Sequence, residues 1–147
     1  MNGVIIPYNT RVLVADARKA LLLRNAGTAF DLVLEVEEVM EAPGNAMSHE
    51  QRTDKPGRTG TGSRRSSLEG TDSHEQGEEE FSILVAENVS KICLQYSIRK
   101  LVIVAPPKAI ASLRQALPET IKRRIIAEIA KDLVHLTLPE MGHHLSH

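Results

Sequence analysis

The sequence predicts an α/β protein: one domain with a mixed five-stranded sheet in the order βββαβαβα and a long mobile loop. Three observations predict it. The first part of the chain holds three short apolar segments with short connections, the second part changes to a helical period, and a continuous apolar run there stops at two prolines. The length of 147 residues is that of a single domain. One sheet with helices on its faces is therefore expected.

Three strands are predicted before the loop. Thr10–Ala15 and Ala20–Arg24 are apolar and are separated by a polar spacer of hairpin length, residues 16–19. Phe30–Met40 follows, in which apolar and acidic residues nearly alternate. These segments predict an antiparallel meander.

After the loop, apolar residues recur at every third or fourth position from Phe81 to Tyr96, which is typical of an amphipathic helix. Three glutamates, residues 78–80, are predicted in its first turn, where carboxylates suit the positive end of the helix dipole. Leu101–Ala105 is a continuous apolar run and predicts a central strand that is covered on both faces.

The last third of the chain predicts further elements. Ala109–Leu117 reads as a short helix before Pro118, and residues 119–124 as a further turn. Ile125–Ile129 is compatible with helix or strand, but its place after a strand and a helix favours a second parallel strand. Thr137 and Glu140 have the spacing of a capping box and predict a final helix.

Composition excludes several classes of function. The net charge of −1 gives no field over the whole protein that would attract nucleic acid or anionic lipid. Cys93 is the only cysteine, which excludes an internal disulfide and fits a reducing compartment. The sequence shows neither a signal peptide nor an apolar run that could span a membrane, so we expect a cytoplasmic protein without a membrane partner.

The loop, at about residues 45–75, is the strongest candidate for a binding segment. Five cations and one anion, Asp54, give the part from Arg52 to Arg65 a net charge of +4. The five cations are Arg52, Lys55, Arg58, Arg64 and Arg65. Arginine binds phosphate through paired hydrogen bonds, and glycine lets the backbone approach it. The segment is thus either a loop that becomes ordered on RNA or a solvated linker with ordinary charges.

Asp16 is the second candidate, because it lies at a strand end. With the acids at 78–80, Glu87 or Asp132 it could form the carboxylate cluster of a two-metal nuclease. Such a site needs an acid at the end of the central strand, which instead ends in two prolines. Asp16 is therefore interpreted as a turn residue that bonds its own backbone.

The histidines and the cysteine are interpreted as residues without a functional role. His143 and His147 have the spacing of a helical ligand pair, but no cysteine or second pair is near them in the sequence. With His135 and His144 they are expected to face solvent, and neither a metal site nor a cofactor is predicted. Cys93 lies on the apolar helix face and is expected to be an inert core thiol. Residues 122–124 are three cations that either extend a basic surface or form the wet face of a short helix.

Several segments resemble the bacterial host attachment proteins, a family described as required for attachment to host cells. They are Val14–Asp16, Thr53–Arg58, Phe81, Leu101–Pro107, Leu113–Arg114 and Lys131–Leu133. The resemblance covers nearly the whole chain, and the order and spacing of the segments carry it. This chain has Ala17 where the family commonly has glycine.

That family is in turn similar to the middle domain of archaeal and eukaryotic release factors, which implies an RNase H-like sheet. In release factors a Gly-Gly-Gln loop enters the peptidyl transferase centre of the ribosome. The comparable stretch here, Gly57–Arg65, has glycines and arginines but no Gln after a Gly-Gly pair. The resemblance implies docking onto ribosomal RNA or tRNA rather than hydrolysis by the release-factor mechanism.

The leading hypothesis is therefore a non-enzymatic binder of the ribosome or RNA with an indirect role in attachment. The five cations would contact the partner, and the loop would be shaped by Asp54, Pro56, Gly57, Gly60 and Gly62. A protein-interaction module in adhesion regulation and a hydrolase that uses Asp16 are the alternatives. The identity of the partner and the oligomeric state stay open at this point.

Overall fold

The computed structural model describes residues 5–42 and 70–146, with side chains from residue 76 onward in the second range. That part of the chain contains five strands and four helices. They are β1 (Arg11–Ala15), β2 (Lys19–Asn25), β3 (Leu34–Glu41), α1 (Gly70–Gln95), β4 (Leu101–Ala105), α2 (Pro107–Ala116), α3 (Glu119–Lys122), β5 (Ile125–Ala130) and α4 (Leu138–Ser146). The predicted order is confirmed, with α3 as the further turn.

The strands form one mixed sheet in the order β3-β2-β1-β4-β5. β2 pairs antiparallel with β1 and with β3, so the predicted meander is confirmed. β4 runs parallel to β1, and β5 runs parallel to β4. The α/β class, the mixed five-stranded sheet and the interior position of β4 are as predicted.

Strand direction decides which loops meet. β1, β4 and β5 are mutually parallel, so the residues that follow them lie along one edge of the sheet. We call this edge, next to Ala15, Ala105 and Ala130, the carboxyl edge. The opposite edge, at the starts of β4 and β5 next to Leu101 and Ile125, is the amino edge.

Alternate side chains of the central strands enter two aliphatic cores. Leu13 and Ile103 face α1 and α2, where Phe81, Val85 and Leu113 are buried. The residues between them in the strands face α4 and the N-terminal segment; this second core holds Val12, Val14, Val102, Val104, Ile6, Met141 and Leu145. Because both faces of β1 and β4 are covered, every residue of these two strands is buried.

The predicted start of β3 at Phe30 is wrong. Phe30 is 99% exposed, and β3 begins at Leu34. The Oγ1 atom of Thr28 accepts hydrogen bonds from the backbone N–H groups of Phe30 and Asp31, which makes a local turn. This turn replaces the strand that is predicted at Phe30, although Phe30 is apolar.

The predicted start of the long helix is also wrong. α1 begins at Gly70, so residues 70–75 of the predicted loop are helical and the glutamates at 78–80 lie in the third turn. Residues 70–80 contain no large apolar side chain, and the hydrophobic period therefore gives no sign of them. The apolar face from Phe81 is confirmed, although Tyr96 follows the last helical residue and is exposed.

The predicted capping box of α4 is confirmed. Thr137 N donates to Glu140 Oε1 at 2.9 Å, and Glu140 N donates to Thr137 Oγ1 at 3.3 Å. In the described ranges, no helix combines the length and the hydrophobicity that a membrane span requires.

Candidate functional site at the carboxyl edge

Polar side chains from two strand ends meet at the carboxyl edge. Asp16 follows β1 directly, and Asp132 and His135 follow β5. One potential ligand atom from each of the three lies within 4.8 Å of the others. We call these residues the carboxyl-edge triad. Ligands of α/β proteins commonly bind outside the carboxyl ends of the strands, which makes this group the leading candidate site.

Asp16 is fixed by its own turn. Its Oδ1 atom accepts hydrogen bonds from the backbone N–H groups of Arg18 and Lys19, each at 2.8 Å. The backbone N–H of Asp16 also donates to the Lys19 carbonyl at 2.9 Å. The predicted turn role is confirmed, and it leaves Oδ2 for contacts with other parts of the chain.

His135 makes that second contact. Its Nε2 atom lies 3.1 Å from Asp16 Oδ2, and its side chain is 67% exposed against 19% for Asp16. The buried neighbours Leu133 and Val134 anchor the turn that presents His135. The expectation that His135 faces solvent is confirmed, but the sequence did not reveal its partner.

The structure separates the acids that were considered for a nuclease cluster. It brings Asp132 to Asp16, whereas Glu87 and residues 78–80 belong to no group of three potential ligands in the described residues. The sequence signal for the observed pair was the position of each aspartate directly or shortly after a strand. These positions predict that the two aspartates lie close together only if β1 and β5 are known to be parallel.

Two carboxylates and an imidazole can do two kinds of chemistry. They are suitable ligands for a divalent cation such as Mn²⁺ or Zn²⁺. His135 can also accept or donate a proton, and Asp16 orients its ring through Nε2. His143 and His144 lie apart from the triad on α4, where their ring centroids are 6.2 Å from each other.

The predicted binding cations, Arg52, Lys55, Arg58, Arg64 and Arg65, lie outside the described residues, and so do Asp54, Pro56, Gly57, Gly60 and Gly62. The described chain stops at Ala42, whose N–H donates to the Arg18 carbonyl at 2.8 Å. Ala42, the last described residue before the loop, therefore lies at the carboxyl edge, beside the turn that holds Asp16.

The amino edge has a different polar arrangement. Arg124 Nη1 donates to the carbonyls of Ile98 at 2.8 Å and Cys93 at 3.3 Å, and so closes the end of α1. Cys93 is fully buried, and burial raises the pKa of its thiol. The thiol stays protonated at neutral pH, which agrees with the predicted inert core role.

Comparison with known protein families gives a match over most of the chain. A model of the family described as "Protein required for attachment to host cells" matches residues 11–145. The matched range runs from the first residue of β1 into the last turn of α4 and includes the whole carboxyl-edge triad. No curated protein matches the chain at a significant level.

Proposed function

The chain belongs to the family of proteins required for attachment to host cells, and from this premise we propose that it binds ribosomal RNA or tRNA through the segment Arg52–Arg65. Its effect on attachment is then indirect and follows from an action on translation. The observation that carries the proposal is the net charge of +4 in this segment, within a protein whose total charge is −1. Such a local concentration of cations favours a polyanion as the partner.

Exposed cations in the described part of the fold support the proposal. Ala42, the last described residue before the segment, lies at the carboxyl edge, where its N–H donates to the Arg18 carbonyl. Arg18 and Lys131 are exposed at the same edge. These two cations add to the positive charge that the basic segment would offer to phosphate.

The proposal is tested by co-sedimentation with purified ribosomes. The variant with Arg58→Ala, Arg64→Ala and Arg65→Ala removes three of the five cations, and we expect it to bind at least about tenfold more weakly at low salt. The matched control replaces the same three residues with lysine, which keeps the charge and removes the paired hydrogen bonds. We expect the control to keep most of the affinity.

Unchanged sedimentation of the alanine variant would refute this function. Binding to a protein that does not weaken with salt, together with no binding to RNA, would instead favour an interaction module in adhesion regulation.

A second candidate function is metal-dependent hydrolysis of a phosphodiester or another ester. The carboxyl-edge triad is the specific observation that favours it, because carboxylates and an imidazole can hold a divalent cation that activates water. Asp16 and Asp132 would hold the cation, and His135 would hold it with them or take the proton from the water.

Assays with Mn²⁺ or Mg²⁺ on model phosphodiesters test this candidate. Asp16→Asn keeps the acceptor for the turn and loses the charge, so we expect at least about a hundredfold loss of turnover without unfolding. Asp31→Asn is the matched control, since Asp31 is exposed and lies outside the triad. No metal-dependent turnover in the wild type would remove this candidate.

A further inference from the structure

A polar cavity of about 460 Å³ lies at the amino edge, between the end of α1 and the starts of β4 and β5. Leu94, Ser97, Arg99 and Arg124 line it. We propose that this cavity binds a phosphate group, either as a free phosphate or as part of a nucleic acid backbone. None of these four residues belongs to the segment Arg52–Arg65, so the proposal does not depend on the function proposed above.

The first support is a set of cations without carboxylate partners. Arg99, Lys100, Arg123 and Arg124 make no ion pair with any acid in the described residues, whereas other arginines of the sheet and α2 are paired. The paired ones are Arg11 with Glu37, Arg24 with Glu35, and Arg114 with Glu128. The four unpaired cations therefore give the amino edge a local positive charge that an anion can neutralise.

Sheet pairing holds these cations side by side. Leu101 N donates to the Arg124 carbonyl at 2.9 Å, which places residues 99–100 next to residues 123–124. The group is therefore built from two loops in fixed register.

Arg124 is held in place before any ligand binds. Its Nη1 atom is occupied by the carbonyls of Ile98 and Cys93, while Nε and Nη2 have no hydrogen-bond partner in the described part of the chain. Arg124 is half-buried, and its guanidinium is anchored on one side. A fixed guanidinium loses little side-chain entropy when it binds an oxyanion through its remaining donors.

Ser97 adds a hydroxyl at a strained position. Its φ is 55°, and Ile98 N donates to the Cys93 carbonyl at 2.9 Å, which is the bond that closes a helix end of the Schellman type. Glycine is the usual residue there, because a side chain in the left-handed region is unfavourable. Backbone strain of this kind is common at ligand sites, and serine supplies a donor that glycine lacks.

The test is a titration of ¹⁵N-labelled full-length protein with inorganic phosphate at constant ionic strength. We expect saturable shifts of the amide signals of residues 97–100. Arg99→Gln should weaken binding about tenfold, because a charged hydrogen bond is lost. Lys108→Gln removes the same charge at the start of α2, near the opposite edge, and should bind like the wild type.

A second titration with oligouridylate distinguishes the two sources of phosphate. Competition for the same amide signals would identify a nucleic acid backbone as the ligand, and phosphate binding without competition would identify a free phosphate or a small phosphate ester. No saturable shift with either ligand, or equal weakening in Lys108→Gln and Arg99→Gln, would overturn the proposal. A variant without residues 52–65 should keep the site, so failure of the proposed RNA binding is recognised separately.

Discussion

The two edges of this sheet present different clusters of polar side chains. At the carboxyl edge, Asp16 and Asp132 lie with His135 and form a group suited to a cation. At the amino edge, Arg99 and Arg124 line a cavity that has no acid among its described lining residues. Because the parallel strands β1, β4 and β5 send their following loops to one side and their preceding loops to the other, one sheet separates the two groups.

The difference also lies in how each group is neutralised. Asp16 accepts hydrogen bonds from two backbone N–H groups and lies 3.1 Å from His135 Nε2, so its carboxylate already has partners within the fold. Within the described residues, Arg124 bonds only carbonyl groups, which carry no net charge. The positive charge of the amino edge is therefore not neutralised by the described residues and can attract an anion.

The largest loss of stability is expected in the central strand β4, which connects the two edges. Ile103 is almost fully buried in β4, so Ile103→Ala should lower the free energy of unfolding by about 2–5 kcal/mol and disturb both edges. Urea denaturation measures the loss. Ile126→Ala is the control and should cost about 1 kcal/mol or less, since Ile126 is 45% exposed. Equal losses in the two variants would contradict the described packing of the central strand.

The next effect separates the two arginines of the amino edge. Arg124→Gln should cost about 1.5–3 kcal/mol of unfolding free energy, because two carbonyls at the end of α1 lose a charged donor. Arg99→Gln should change stability by no more than about 0.5 kcal/mol, since Arg99 has no partner in the described residues. Chemical denaturation of both variants measures the two losses. A large loss of stability in Arg99→Gln would contradict the claim that, of these two arginines, only Arg124 has a structural role.

A smaller effect of opposite sign is expected at Ser97. Ser97→Gly should raise the free energy of unfolding by about 1 kcal/mol, because glycine adopts the positive φ without strain. Ser97→Ala keeps the strain and should leave stability nearly unchanged. If Ser97→Gly also weakens phosphate binding, the hydroxyl contributes to the site; if Ser97→Gly destabilises the protein, the account of this helix end is wrong.

The smallest effect concerns the buried thiol next to the amino edge. Burial raises the pKa of Cys93 above the ordinary value of 9.0, and the Arg124 cation opposes this. The stabilisation that comes from keeping the thiol neutral is therefore complete below pH 9 and is lost as the pH rises through the pKa of the folded state. Thermal denaturation above pH 9 should show a steeper loss of stability in the wild type than in Cys93→Ala. Parallel pH profiles would contradict this interpretation.

Local signals in the sequence predicted most of the fold. The apolar run Leu101–Ala105 predicted an interior strand, and the spacing of Thr137 and Glu140 predicted the capping box, because these features depend on residues close together in the chain. The start of α1 was missed because residues 70–80 have no apolar period, and the start of β3 was missed because a Thr28 hydroxyl forms a turn.

The candidate site was less predictable than the fold. The sequence marks Asp16, Asp132 and His135 individually as candidates, and the position of Asp16 predicts its turn role. Their contact depends on the order and direction of β1, β4 and β5, and this information is not local to any of them. The sequence does not show which arginines lack an acidic partner in the described residues, because the partners of Arg11, Arg24 and Arg114 become known only from the fold.

The central claim, that the cations from Arg52 to Arg65 bind RNA, is tested most directly by the salt dependence of ribosome binding. The logarithm of the binding constant is measured against the logarithm of the salt concentration for the wild type and for a variant without residues 52–65. We predict a steep wild-type slope, with a decrease of about 0.7–0.9 for each cation that contacts phosphate in the wild type and is lost in the variant. Equal slopes, or no binding of the wild type at any salt concentration, would contradict the account.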